Sequence, residues 1–311
     1  MNPWGDLVQA AGRICEGQSF PRGALYMVGT PIGNLADLSV RAVHVLTLCD
    51  TLACEDTRQS QRLLQALGLH KPLLAVHQHN ETEATHAVVQ RLAAGERVAY
   101  VTDAGTPGIS DPGARLCAGV LAAGHVAIPI PGPSSVTTLL SVSAWKDAVN
   151  DARSQGFVFA GFLPAKGTER QQILQSWAEE PRGIVWLEAP HRMASMAQEL
   201  MALGSRRLTL GRELTKHHEQ VIELASDELD LWLKQHPEQA QRGEWILALH
   251  PMPAQNAAKE TGTISLQAQR LMQALTKELP LKSAARITAE LTPDRRNDLY
   301  AWGLKQNDTQ V

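Results

Sequence analysis

The chain has 311 residues, 44% hydrophobic and 20% charged, an ordinary soluble-protein composition with apolar material for two or three domains. With 29 basic against 32 acidic residues the formal net charge is −3; this excludes a protein coated in positive charge and leaves room for a local basic face. No apolar run approaches a membrane span, the start lacks the apolar core of a signal peptide, and the four cysteines (Cys15, Cys49, Cys54, Cys117) show neither CxxC nor metal-ligand spacing. They read as small buried thiols of a cytoplasmic protein, and no metal site is expected.

Residues 1–23 carry weak pattern and read as an extension. From there to 145 a unit repeats. The apolar runs 24–28, 50–54, 72–76, 97–102 and 125–130 read as strands, and helical spacing follows each of them. Gly68, Gly95 and Gly124 stop three of the helices. Asn80 and Glu83 stand at capping-box spacing, and Asp111-Pro112 reads as N-cap and first residue of the next helix. Continuous rather than alternating apolar runs imply strands covered on both faces, hence a mainly parallel α/β sheet. Residues 146–156 read as a linker. A second α/β block, 157–250, has strands near 157–164, 183–192, 207–216, 219–224 and 244–250; neighbours at 206–225 look hairpin-like and predict a mixed sheet. After a second linker, 251–264, residues 265–305 read as a small helical domain of three short helices broken at Pro280 and Pro293.

Four unusual loops follow strands of the first block: "GTPIGN", "CEDTR", "DAGTPGISDPG" and "PGPSS". In a parallel sheet they meet at the carboxyl rim, where ligands bind. Glycines admit close backbone approach and prolines stiffen the loops. Neither GxGxxG nor GxxxxGK[ST] is present, which removes support for a dinucleotide or P-loop site. Glu55, Asp56, Asp103 and Asp111 in these loops would repel phosphates. They suit a ligand with hydroxyls or positive charge, and S-adenosylmethionine offers a ribose diol, an ammonium and a sulfonium.

The stretches "VGTPIGNLADLSVRA", "ACEDTRQSQRLL", "HNE", "VTDAGTPGISDPG", "PIPGPSS", "GFLPAKGTER", "EAPHR" and "GRELTK" occur in order between about 24 and 250. Together they resemble the ribosomal RNA small subunit methyltransferase I family, the 16S rRNA cytidine 2′-O-methyltransferases of the tetrapyrrole-methylase superfamily; the tail resembles that family's small C-terminal domain. The resemblance implies two α/β domains with S-adenosylmethionine in the cleft between them, a homodimer, and a 2′-hydroxyl substrate on a cytidine of 16S rRNA (1402 in conventional numbering) within the small ribosomal subunit. Carried over by motif, Thr30, Pro31, Asp103, Ala104, Gly105, Thr106, Ser134 and Ser135 face the cofactor, with Ala189 and Pro190 across the cleft. Ser135 and Ala144 depart from the residues the family leads one to expect.

A ribose hydroxyl is a poor nucleophile, so a base or charge-stabilising group is sought among Glu55, Asp56, His79, Glu81, Glu188, Glu213 and Lys216. Glu55, Glu188 and Lys216 are carried forward as catalytic candidates, though sequence context singles out none. Arg58, His79, His191, Arg192, Arg212, Lys282, Arg295 and Arg296 are the candidate RNA contacts. Two other readings stand beside this one: a small-molecule methyltransferase acting on a tetrapyrrole, and a non-catalytic RNA- or ribosome-binding module.

Overall fold

The computed structural model describes residues 3–77, 80–145, 155–252, 264, 266–292 and 294–308. The chain divides into two compact units, 1–252 and 253–311. The first unit begins with Pro3–Ile14 (α1), then runs through Ala24–Val28 (β1), Val40–Leu48 (α2), Thr51–Cys54 (β2), Thr57–Leu67 (α3), Leu73–Ala75 (β3), Glu81–Ala93 (α4), Val98–Val101 (β4), Ala114–Ala122 (α5), Val126–Ile130 (β5) and Ser135–Leu140 (α6). All pairings among these strands are parallel, in the order β3-β2-β4-β1-β5. β1, β2 and β4 are almost wholly buried, as their unbroken apolar runs require.

Three local readings change. The stretch taken as a patternless extension contains α1, whose Trp4, Leu7, Val8 and Ala11 recur at helical spacing and join the core of α2 and α3. The capping box at Asn80 does not form: the Asn80 side chain accepts instead from the His77 N–H at 2.8 Å. α5 starts at Ala114 rather than Pro112. Gly113 takes φ +122°, and a Cβ there would lie 2.5 Å from the Tyr100 ring, so the chain skirts that ring before it can coil. The buried Glu81 carboxylate then accepts from the Gly113 and Leu116 N–H groups, both at 3.3 Å, and closes the new helix start.

The second half of this unit comprises Phe157–Phe162 (β6), Thr168–Trp177 (α7), Gly183–Glu188 (β7), Met193–Leu200 (α8), Arg207–Arg212 (β8), Gln220–Ala225 (β9), Leu229–Gln235 (α9), Pro237–Ala240 (α10) and Trp245–Leu249 (β10). Its sheet is mixed: β6 and β7 are parallel, and β7-β10-β8-β9 are antiparallel. The halves interlock through α6. Val136 and Leu139 pack with Val185, Leu214, Ile246 and Ala248 of the second half. Gly211 makes room, since a Cβ there would sit 3.0 Å from Leu139 Cδ1.

The second unit is a three-helix cluster of Leu266–Leu275 (α11), Leu281–Leu291 (α12) and Arg296–Asp308 (α13) around Ala268, Met272, Ala284, Ala285 and Leu299. Pro280 caps α12 as expected; Pro293 lies outside the described residues. Among the described residues no helix is long and apolar enough to cross a membrane.

The loops after β1 and β5 approach closely: a Cβ on Gly132 would lie 2.6 Å from the Gly29 carbonyl oxygen. Gly132→Ala is expected to destabilise the protein by about 1–3 kcal/mol, the usual cost of overpacking. Urea denaturation reads this directly, and unchanged stability would mean that the two loops separate freely.

Candidate active site

β4, β1 and β5 are adjacent and parallel, so the loops that follow them meet at one rim, with the loop after β2 beside them. Backbone bonds stitch them together. Thr30 N–H donates to Gly105 O at 2.9 Å, and Gly105 N–H donates to Thr30 O at 3.0 Å, an isolated antiparallel bridge. Gly105 has φ +79°, which a side chain would resist. The Thr30 hydroxyl donates to Thr102 O at 3.2 Å, and the Thr106 hydroxyl to Pro133 O at 3.1 Å.

This bridge separates two cavities. The first, about 390 Å³, lies between the halves of the unit. Ala104, Gly105, Thr106, Ser134 and Ser135 line it from the first sheet, and Ala189 and Pro190 from the second. Ile32, Phe159, Phe162, Leu187 and Trp245 give it apolar walls, and Asp111 and Glu244 give it acids. The second cavity, about 400 Å³, opens between the β1 loop and α3. Thr30, Pro31 and Asp103, expected to face the cofactor, line this second cavity and not the first. Asp103 is turned there because its Oδ1 accepts the Asp56 N–H at 3.2 Å.

The rim is acidic and its acids feel one another. Burial, then Asp103 and Asp111, raise the pKa of Glu55. Burial, then Asp103, raises that of Asp111. Burial also raises Asp103. Asp56 goes the other way, down to about 2, because the exposed Arg58 side chain donates to its carboxylate, the closest contact being 2.6 Å. Beneath the rim the Tyr100 hydroxyl is buried with no hydrogen-bond partner among the described residues, and burial together with nearby Glu55, Glu81 and Asp111 raises its pKa.

On the opposite wall the catalytic candidate Glu188 is fully buried inside an ion-pair network. Its Oε2 lies 3.4 Å from Arg170 Nη2, and its Oε1 lies 2.5 Å from Arg192 Nε, off the hydrogen-bond line. Oε1 also accepts the Ala189 N–H at 3.0 Å. Arg170, itself buried, forks onto Glu199 at 2.8–3.0 Å and donates to Pro164 O at 3.0 Å. A carboxylate engaged in this way holds the 188–190 turn, and Glu188 also lines the first cavity.

Lys216, the third catalytic candidate, donates to Glu213 at 2.9 Å and pairs with Glu244 at 3.2 Å. Burial works against its charge, but the two carboxylates outweigh it and hold its pKa up, so it is a cation and not a base. Its stem fills the space that a Cβ on Gly33 would need. Arg212 does not reach the surface as an RNA contact. It is 9% exposed, donates to Gln239 O and Arg242 O at 3.2 and 3.1 Å, and lies over the Trp245 ring. Arg192, half-buried, donates to Leu163 O at 3.0 Å besides pairing with Glu188. Arg58 and His191 are exposed near the rim. Lys282, Arg295 and Arg296 are exposed on the helical unit. His79 lies outside the described residues. Sequence reasoning missed Arg170, although it ends the quoted "GFLPAKGTER", and missed Gln59 and Arg62, whose polarity alone carries no signal.

Residues 24–230 match the family of tetrapyrrole (corrin/porphyrin) methylases, and 262–307 match the RsmI C-terminal HTH domain. A solved cobalt precorrin-4 methyltransferase of cobalamin biosynthesis shares the fold, with a TM-score of 0.54 at 17% identity over 74% of this chain and 97% of its own. Fold and family place the protein in the class of S-adenosylmethionine-dependent methyltransferases. The ribosomal RNA small subunit methyltransferase I of Pseudomonas aeruginosa is 41% identical over 91% of this chain and 98% of its own, and that of Haemophilus influenzae 39% identical over 91% and 96%. The chain belongs to the ribosomal RNA small subunit methyltransferase I family.

Removing one partner from a buried ion network leaves an uncompensated charge. Arg170→Ala is therefore expected to cost about 3–5 kcal/mol in urea unfolding and to weaken S-adenosylhomocysteine binding by calorimetry, because the 188–190 turn loses its anchor. At the rim the sign is opposite. Glu55 titrates above its unfolded value, so its ionisation costs folding stability once the pH exceeds that raised pKa. Glu55→Gln is expected to melt higher than wild type in the alkaline range, with the gap closing as the pH falls through the raised pKa of Glu55 towards its unfolded value. A gap independent of pH would remove the acidic rim from the account.

Proposed function

We propose that this protein methylates the ribose 2′-hydroxyl of a single cytidine in the decoding region of 16S rRNA (1402 in conventional numbering), within the small ribosomal subunit, as a cytoplasmic homodimer. The observation that carries the reading is the first cavity. It presents the backbone of 104–106, the hydroxyls of Ser134 and Ser135, apolar walls including Phe159 and Trp245, and acids at its margin. That set fits each part of S-adenosylmethionine. Apolar and aromatic walls accept an adenine. Hydroxyls and carboxylates accept a diol and an ammonium, and backbone carbonyls tolerate a sulfonium. The family resemblance and the names of the relatives support ribosomal RNA as the substrate.

When bound, S-adenosylmethionine supplies an electrophilic methyl group. The residues of this chain bind and orient. Ala104, Gly105, Thr106, Ser134 and Ser135 would hold the cofactor from one side, and Ala189 and Pro190 from the other, with Arg170 and Arg192 fixing the latter pair through Glu188. Lys216, held charged where the β1 loop meets the second half, stabilises negative charge on the acceptor ribose or its phosphate. Of the three catalytic candidates only Glu55 is free of a salt bridge among the described residues and has a pKa shifted towards neutrality, the direction a general base needs. Holding two reactants in line contributes several kcal/mol, about 7 or more at best. Arg58 and His191 at the rim and Lys282, Arg295 and Arg296 on the helical unit bind RNA phosphates.

The test is incubation of hypomethylated small subunits, and separately of free tetrapyrroles, with labelled S-adenosylmethionine. Label is expected on one ribose of 16S rRNA, located by a block to primer extension at low nucleotide concentration. Label on a base, on a tetrapyrrole, or nowhere would overturn the reading.

A further inference from the structure

The second cavity lies across the Thr30–Gly105 bridge from the cofactor cavity, and its chemistry differs. Its depth is made of buried hydroxyl residues whose protons are already given away. Thr30 Oγ1 donates to Thr102 O, and Thr102 Oγ1 to Ala104 O, both at 3.2 Å. At the mouth stands the Asp103 carboxylate. Its Oδ1 takes the Asp56 N–H, while Oδ2 has no hydrogen-bond partner among the described residues. Facing it on α3 are Gln59 and Arg62. Arg62 Nη1 donates to Gln59 Oε1 at 3.4 Å, a contact that leaves the Gln59 amide N–H₂ and the rest of the guanidinium to donate outward. Pro31 and Leu63 supply apolar sides. The volume, about 400 Å³, is ample for a nucleoside.

A flat ligand that satisfies this cavity must give a proton to a carboxylate and accept protons from an amide or guanidinium a few atoms away. Cytosine has that edge: an exocyclic amine beside a ring nitrogen and a carbonyl. Uracil would set a carbonyl oxygen against Asp103. Carboxylates read the cytosine amine in this way in nucleic-acid recognition generally, and a good pair discriminates by about 1–3 kcal/mol, that is about 5- to 150-fold.

We infer that the second cavity binds the base of a cytidine in the substrate RNA strand, with Asp103 accepting from its amine and Gln59 and Arg62 donating to its acceptor edge. The inference rests on the RNA reading above. The Thr30–Gly105 bridge then divides cofactor from nucleobase, and Asp103 is a specificity residue of the RNA side.

The experiment compares small subunits reconstituted with cytidine or with uridine at the methylated position, using wild type, Asp103→Asn and Gln59→Ala, alongside S-adenosylhomocysteine affinity by calorimetry. Wild type is expected to prefer cytidine by about 10- to 100-fold in kcat/KM. Asp103→Asn keeps an acceptor for the Asp56 N–H but presents an amide; it is expected to erase most of that preference while cofactor affinity stays within about two-fold, and Gln59→Ala to raise KM for the subunit. An unchanged preference in Asp103→Asn, or a loss of cofactor affinity as large as the loss of activity, overturns the inference. Chemical-shift perturbation of the full-length protein by CMP against UMP tests the cavity separately. Equal response to both overturns it, whereas selective CMP binding in a wild type that methylates neither RNA would sink the methylation reading and leave the base pocket standing.

Discussion

The site depends on two backbone bonds. Thr30 and Gly105 exchange N–H and C=O groups across loops that are 75 residues apart, and the Gly29–Gly132 contact presses a third loop against them. Loops ending parallel strands have no reason of their own to stay together, because their strands fix only where they start. Cross-bonding makes one rigid lip from three connections. That lip has two sides, which is how a single sheet edge presents two cavities with different lining chemistry.

Charge follows the same division. The first sheet brings acids to the lip, and burial, then repulsion from neighbouring carboxylates, raises Glu55, Asp103 and Asp111. The second sheet opposes them with acids paired to cations, Glu188 with Arg170 and Arg192, and Glu213 and Glu244 sharing Lys216. A bare carboxylate against a sulfonium would stabilise the ground state of methyl transfer more than the transition state, in which that positive charge is being lost, and so would lower the rate. Pairing the carboxylates of the far wall with cations avoids that, and leaves orientation as the main lever on rate.

The architecture was legible because it is a matter of period and punctuation. Unbroken apolar runs alternating with helical spacing dictated the parallel sheet, and the hairpin-like pair near 206–225 dictated the mixed one. The linear motif resemblance located the loops. Side-chain direction was not legible. Asp103 sits in the richest loop beside residues that line the cofactor cavity, yet one hydrogen bond from Asp56 N–H turns it to the other side. Glu188 as a catalytic candidate and Arg212 as a candidate RNA contact were legible only as residue types, because a sequence does not say that Arg170 arrives from α7 or that Trp245 lies under a guanidinium. α1 was read as an extension because its apolar stripe is short and mixed with small residues, and tertiary contact with α2 and α3 supplies what periodicity lacked.

The turn that carries Lys216 links these levels. Glu213 and Thr215 have φ of +50° and +66°, values that non-glycine residues adopt at a cost of order 1–3 kcal/mol and only when surrounding structure holds them there. What holds them is visible. Glu213 Oε1 accepts from Lys216 Nζ and from Glu244 N–H, both at 2.9 Å, and the Thr215 N–H donates to Glu219 at 2.5 Å. The strained turn lays the lysine stem on Gly33, where a side chain would collide with it. Gly33 lines the second cavity and Glu244 the first. Lys216 therefore braces Gly33 of the β1 loop on one side and Glu244 on the other, so one side chain abuts a wall residue of each cavity.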